Sequence, residues 1–344
     1  MALHATSPLG RAIALVTLLC MITLASACSA PPATPSAQPA PTELGVQLSW
    51  VHEYSSSPFY AAAKNGHFAA EGLQVRFEEG GFNSAGYIDP ISQVLDGNAD
   101  IGMTSSSSLI AARAAGKPVI GIGNIFQRSP LAIISLAEQN ILRPQDLVGR
   151  TVLVAQDGAN DSLLAMLKIQ QIDPDTITIL PRTSFGVDPL LNGEADAIVA
   201  WIINEGVQVR EAGREPNIML MSDYGIDTYD FVIFTSEQAL QERPEQIERF
   251  MRALNHGIAD VIANPEQAIS YTLEFNPDLD QAGQLQRLAA SLPLIRPANT
   301  QIGTFDIEIW ELTQQLLLEG DRIDAPIDLE RAFTKAFVSA EETE

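Results

Sequence analysis

The chain has 344 residues, with 43 acidic against 20 basic side chains, a formal net charge of −23 and two cysteines. Such an acidic surface is repelled by phosphate backbones and by anionic lipid, which argues against nucleic acid and against direct lipid-surface contact. One cysteine lies in an apolar N-terminal run, so no disulfide framework and no thiolate metal site is expected.

The N-terminal residues 1–11 carry Arg11 and no acid, and residues 12–25 are almost wholly apolar. This is the charge-then-apolar pattern of an export signal, too short for a comfortable membrane span. It ends in Leu24-Ala25-Ser26-Ala27-Cys28, which resembles a bacterial lipobox, with Ala25 where a larger aliphatic residue is usual. The expectation is a signal over residues 1–27 and acylation of Cys28; plain secretion and an uncleaved anchor are the alternatives. Residues 29–42 are rich in Pro, Ala and Ser, which favours extended chain, so residues 28–42 read as a tether.

From Glu43 onward strands and helices alternate. The patterns predict a strand over residues 44–50, a helix over 58–65 stopped by Gly66, and a strand over 73–77 after Gly72. A short helix over 90–95, a strand over 101–103, a helix over 105–115 and a strand over 119–125 follow. This rhythm predicts a mainly parallel α/β sheet. Residues 94–101 (VLDGNADI) are echoed by 190–197 (LLNGEADA): a helix end, a Gly, then Ala-Asp opening a strand. The echo suggests two similar lobes. The second is expected over residues 129–231, with strands at 151–155, 177–180 and 197–203 and a helix at 161–171. The first takes residues 43–128 and 232–344, its later part helical and punctuated by Pro244, Pro265 and Pro326. Two crossovers near 126–130 and 228–236 would form a hinge.

Ligands of open α/β sheets bind beyond the carboxyl ends of strands. That rule selects Trp50, His52 and Tyr54 after the first strand, and Thr104, Ser105 and Ser106 at a strand-to-helix turn. In the second lobe it selects Asp157 and Asn160 at the matching turn, and Trp201, Asn204 and Glu205 after a later strand. Gln127 and Tyr224 near the crossovers complete the set, with Asp230 a further possibility and Arg128 and Arg182 the available cations. Aromatic and polar groups from two lobes suit a planar, polar heterocycle. Each has a plainer reading: Trp50 and Trp201 as core, Thr104 to Ser108 as helix caps, Tyr54 as surface. His67 and His256 read as helix-end or surface residues.

Several blocks in order then carry a resemblance: Leu48-Ser49-Trp50-Val51-His52, Phe59 to Phe68, Glu71 to Val75, Gly97 to Met103, Ile125 to Pro130, Asp146 to Arg150, Asn204 to Gln208 and Asn264 to Ala268. Over about residues 44–275 the sequence resembles the thiamine pyrimidine synthase-like group of type II periplasmic-binding proteins. The resemblance implies an α/β, two-lobed periplasmic-binding-protein type II fold with a hinge of two crossover segments. It implies a lipoprotein that binds a small heterocycle, foremost a thiamine pyrimidine precursor, and serves an ABC permease and its ATPase. Glu205 matches the carboxylate that binds an aminopyrimidine in that group. Riboflavin and an alkanesulfonate are alternative ligands. A monomer without a cofactor, held to the membrane through its anchor only, is expected. The group also contains a synthase that consumes one of its own histidines. The matching position here is Ser108, and residues 226–232 hold no cysteine of that enzyme's cluster. The familiar Asn before the first-loop His is missing around His52. An adhesin or scaffold lipoprotein is the rival of a different class.

Overall fold

The computed structural model describes residues 40–84, 86–155, 158–182, 186–298 and 300–337. Cys28, the signal and most of the tether lie outside these, as does Asp157. The first lobe opens with β1 (Thr42–Gln47), α1 (Ser57–Lys64), α2 (His67–Ala70) and β2 (Leu73–Glu78). A hairpin of β3 (Gly81–Asn83) and β4 (Gly86–Ile88) follows, then α3 (Pro90–Leu95), β5 (Ile101–Thr104), α4 (Ser106–Ala114) and β6 (Val119–Asn124). The second lobe holds β7 (Leu131–Leu136), β8 (Thr151–Val154), α5 (Gly158–Ile169), β9 (Thr178–Pro181), α6 (Asp188–Leu191), β10 (Ala197–Trp201), α7 (Glu205–Glu211) and β11 (Pro216–Leu220). The chain returns as β12 (Val232–Ser236) and ends in α8 (Glu237–Glu242), α9 (Pro244–Ala263), α10 (Pro265–Phe275), α11 (Gln281–Ile295) and α12 (Ile307–Glu319).

The strands form two five-stranded sheets, ordered β2-β1-β5-β12-β6 and β11-β7-β10-β8-β9. Neighbours β1, β2 and β5 run parallel, as do β8, β9 and β10. In each sheet four strands run the same way, as the alternation of strands and helices predicts, and the one strand that enters from a crossover runs the other way, which makes the sheets mixed. Strand β12 is antiparallel to β5 and β6, and β7 is antiparallel to β10 and β11. The register gives the reason. Leu131, the first residue of β7, pairs with Trp201, the last of β10; Val232, the first of β12, pairs with Thr104, the last of β5. Both crossovers therefore join the carboxyl edge of one sheet to the carboxyl edge of the other, and a strand entering there must run backwards. The same connections bring the two carboxyl edges to one boundary.

The echo between residues 94–101 and 190–197 is a repeated joint. Gly97 and Gly193 end their helices with φ of +77° and +71°, the left-handed region that glycine enters without cost. Asp100 then accepts the N–H of Gly45 at 2.8 Å, and its own N–H donates to the Gly45 carbonyl at 2.9 Å. Asp196 makes the same pair of bonds with Thr151, also at 2.8 and 2.9 Å. In each lobe the aspartate ties the incoming strand to the neighbouring strand of its sheet.

Apolar clusters cover both faces of both sheets. On the first sheet, α9 lays Ile247, Phe250, Met251, Leu254 and Ile258 in one stripe against α1. Pro244 and Pro265 open α9 and α10 at their first positions, where no N–H is needed. Pro326 stands in irregular chain before a short turn at Leu329–Arg331 and opens no α-helix. Helix α12 packs on α4 in the first lobe and on α5 in the second, so the helical tail is shared by both. Among the described residues no helix is long and apolar enough to cross a membrane.

Candidate functional site

At the carboxyl end of β1, Trp50 is 43% exposed and meets Phe82 edge-on, with ring centres 6.0 Å apart and an interplanar angle of 86°. His52 turns inward. Its Nδ1 shares a 2.5 Å hydrogen bond with the Tyr60 hydroxyl, and its carbonyl accepts from Asn276. Burial holds the imidazole below its ordinary pKa, outweighing Glu79 and Glu78. Tyr54 is buried, not at the surface: its N–H donates to Gln284 at 2.8 Å and its hydroxyl donates to Asn204 Oδ1 at 3.0 Å. That last bond joins the first lobe to the second.

The β5–α4 turn divides its hydroxyls. Ser105 caps α4, accepting the Ser108 N–H at 3.1 Å, and also donates to the Ser108 hydroxyl at 3.0 Å. Ser106 is buried, and its Oγ accepts from the Tyr229 N–H at 3.2 Å, so it locks α4 to the second crossover. Gln127 is also buried and braces the first crossover, donating to the Asn124 carbonyl at 3.2 Å.

In the second lobe the group at the end of β10 is connected. The Asn204 N–H donates to the Trp201 carbonyl at 3.0 Å, and the Trp201 N–H donates to Glu205 Oε2 at 3.3 Å. Glu205 Oε1 takes a 2.8 Å bond from Arg182, which comes from the end of β9. Those two side chains are 8% and 6% exposed. The carboxylate and the cation that the sequence offered as separate ligand contacts are thus each other's partner. Arg182 donates further to the carbonyls of Gly186 and Val199, so the pair is hydrogen-bonded well beyond its own contact. The Trp201 ring packs against Phe231 at 5.6 Å. Asn160 lies half-buried in the first turn of α5, whereas Tyr224 packs against the second-lobe core. The structure therefore links Tyr54, Trp201, Asn204 and Glu205. Trp50 and Ser105 stand at the ends of neighbouring strands, and Tyr224 and Gln127 serve packing and the crossover.

Sequence reasoning passed over one carboxyl, Glu53, and offered a second, Asp230, as a ligand contact rather than as a tie between the crossovers. Glu53, beside Tyr54, accepts from the Ser55 hydroxyl at 3.2 Å, and burial lifts its pKa to about 7 against the pull of Ser55 and Arg287. Asp230 takes a 2.7 Å bond from the Ser129 hydroxyl, tying the two crossovers together, and burial lifts it to about 7 as well. A buried acid has no periodicity or motif to announce it. Phe82 and Tyr87, exposed on the hairpin, were also missed, because a three-residue strand is too short to show alternation. Among the described residues no group of three His, Cys, Asp or Glu is arranged to hold a metal ion.

Comparison with known proteins agrees with this architecture. The protein is 28% identical over 337 residues to riboflavin-binding protein RibY of Chloroflexus aurantiacus, covering 92% of this chain and 95% of that one. It is 29% identical over 297 residues to the formylaminopyrimidine-binding protein of Halalkalibacterium halodurans, covering 84% and 88%. Among solved structures, the periplasmic aliphatic sulphonate-binding protein SsuA of Escherichia coli matches with a TM-score of 0.65 at 16% identity, over 85% of this chain and 97% of that one, a likeness of fold. The family model described as NMT1/THI5 like matches residues 54–268, and the chain belongs to that family.

Proposed function

We propose that the protein is the extracytoplasmic solute-binding component of an ABC importer and captures a flat nitrogen heterocycle between its lobes. One observation carries this reading: the carboxyl edges of both sheets meet at one boundary, and there Tyr54 donates across it to Asn204 at 3.0 Å. A ligand touching both lobes favours the closed arrangement by as much as it binds that arrangement better. The closed form is what a permease and its ATPase would read. The names of two relatives that match most of the chain, one for riboflavin and one for formylaminopyrimidine, support a ring as ligand. Glu205 accepts one bond at each oxygen, from Arg182 and from the Trp201 N–H, and a carboxylate keeps further acceptor sites for a ring N–H or amino donor of either heterocycle. In this reading Cys28 carries the lipid and residues 29–42 the tether, and the protein works as a monomer.

Thermal unfolding in the presence of riboflavin, thiamine pyrimidines and taurine tests the proposal. A ligand at about 100 times its Kd adds roughly 2.7 kcal/mol, and a rise of roughly 5 °C or more is expected for one of the heterocycles. The radius of gyration should fall with it. Stabilisation by taurine alone, or by none of these, overturns the reading.

A further inference from the structure

Helix α12 lies across both lobes, and each lobe holds it in a different way. At its start the Asp306 N–H donates to the Tyr229 hydroxyl of the second crossover at 2.9 Å. Trp310 is fully buried, edge-on to Phe305 and stacked on Phe333 at 4.8 Å, and Leu317 joins the same first-lobe cluster. After the helix, Ile323, Leu329 and Phe333 carry the chain back into that cluster. The helix is therefore a fixed part of the first lobe. On the second lobe, Leu312 and Leu316 touch the core around α5, and two ion pairs stand beside them. Lys168 of α5 donates to Glu319 at 3.1 Å, and Arg322 donates to Asp161 at 3.2 Å. Lys168 is 71% and Arg322 45% exposed, so water competes well for each pair.

The opposite face of the first sheet is joined to the second lobe by a buried residue. Ile233 of β12 belongs to the cluster on one face and Val232 and Phe234 to that on the other, which places α11 and α12 on opposite sides. On the α11 side, Ile203 from the β10–α7 turn is wholly buried in the first-lobe cluster, together with Phe126 and Phe231 of the two crossovers. Arg287 of α11 also meets both oxygens of Glu211, at the end of α7, at 3.2 and 3.4 Å. That side is packed around the crossovers and makes a pivot. The α12 side has length. Its 13 residues put Glu319 about 20 Å from the end held by the crossover. A lobe rotation of about 15° moves that far end by roughly 5 Å, enough to part both ion pairs.

We propose that α12 and Arg322 form a strap, built into the first lobe, that grips α5 of the second lobe and releases it when the lobes part. Arg322 reaches the first turn of α5, where Asn160 stands as a candidate ligand contact. The first lobe thus holds the second-lobe ligand turn in place before a ligand arrives. A larger gripped fraction raises affinity, because the apparent Kd is the intrinsic one divided by the fraction already in the competent arrangement. Exposed ion pairs suit this role, since a permanent grip would leave a ligand no exchange to bias. The effect on affinity rests on the reading of the protein as a heterocycle-binding protein; the strap itself does not.

Small-angle scattering of the ligand-free protein provides the test. Lys168→Ala with Arg322→Ala removes both cations from the grip, and the exposure of both side chains should leave the fold intact. Asp161→Cys with Gly320→Cys works in the opposite direction. A Cβ on Gly320 would lie 2.8 Å from the Asp161 carboxyl carbon, so two thiols there stand within reach of a disulfide, and the Gly320 φ of −88° accepts a side chain. The alanine pair is expected to raise the radius of gyration. The oxidised cysteine pair should match wild type or fall below it, and reduction should raise it. Titration with riboflavin and with the hydroxymethyl aminopyrimidine of thiamine should show at least about a threefold loss of affinity in the alanine pair, for whichever of them wild type binds. A radius unchanged by the alanine pair, and equal in the oxidised and reduced cysteine pair, overturns the strap, because α12 then stays on α5 in every arrangement the lobes adopt. Should the alanine pair fail to fold, the comparison of oxidised and reduced cysteine pair decides alone. A raised radius with neither heterocycle bound by wild type keeps the strap and removes the proposed function; tight binding by wild type with no change of radius keeps the function and removes the strap.

Discussion

The two lobes join their strands alike and finish them differently. Asp100 and Asp196 make the same two backbone bonds at the same distances, at matching places in the two sheets. Beyond the carboxyl ends the likeness stops. The first lobe leaves Trp50 and the hairpin aromatics largely in solvent, packed only on one another. The second buries Glu205 against Arg182, with both oxygens of the carboxylate engaged. The scaffold repeats and the rims do not. A charged residue at a strand end therefore indicates a place in the fold before it indicates a ligand contact: Glu205 stands where a ligand carboxylate was expected, yet its electrostatics are largely settled within the lobe.

That asymmetry can be broken directly. Arg182→Met should leave Glu205 buried without its cation and cost about 3–5 kcal/mol, read from urea unfolding. Trp50→Ala, at the corresponding rim of the first lobe, should shift the same midpoint by less than about 1 kcal/mol, because the ring is largely exposed. Equal losses in the two variants would mean that the rims are not differently built. The repeat itself is sharpened by Asp100→Ala and Asp196→Ala. Each removes a carboxylate acceptor from a backbone N–H, worth about 1.5–3 kcal/mol for a charged bond. The two losses should agree within about 0.5 kcal/mol if the joints are equivalent, since both aspartates also meet one arginine, Arg243 and Arg150 respectively.

Much of the scaffold was readable before the structure because it depends on local chemistry. Gly after a helix, alternating apolar residues, and Pro at the first turns of α9 and α10 mark their elements within about three residues. Strands β7 and β11 left weaker marks. Leu131–Leu136 is a short apolar run that periodicity alone cannot tell from a buried helix turn, and β11 begins at a proline on the sheet edge. The reversal of β7 and β12 was not readable either, since antiparallel entry follows from where the crossovers attach. For the site, the strand-end rule found the right places and not the right roles. Tyr54 and Asn204 lie far apart in sequence, and nothing local indicates that they bond; the same holds for Arg182 and Glu205, whose pairing depends on β9 and β10 flanking β8 and ending at the same edge of the sheet.

The smallest expected effect concerns how the two regions respond to protons, and it separates the first-lobe loop from the joint between lobes. Glu53 belongs to the loop after β1 and Asp230 to the second crossover, and burial raises both to about 7, from 4.5 and 3.8. A group whose pKa is higher in the folded state binds more protons there, so its contribution to stability is complete below the unfolded value and is lost as pH rises through the folded one. Between roughly pH 4.5 and 7 each group should therefore lower the unfolding free energy by on the order of 1 kcal/mol per pH unit. Relief of surface repulsion in so acidic a chain acts in the same direction, so the variants must be compared with wild type across the window. Glu53→Gln should flatten the slope while leaving the crossovers intact. Asp230→Asn should flatten it too and still accept the Ser129 hydroxyl. The groups with lowered values, such as Glu71 beside Arg252, act only below this window and cannot imitate the effect. If Asp230→Asn flattens the slope and Glu53→Gln does not, the proton-linked cost resides in the joint between the lobes. If neither slope changes, the burial of these two carboxyls does not govern the pH response, and the joint is no more sensitive to protons than the rims it connects.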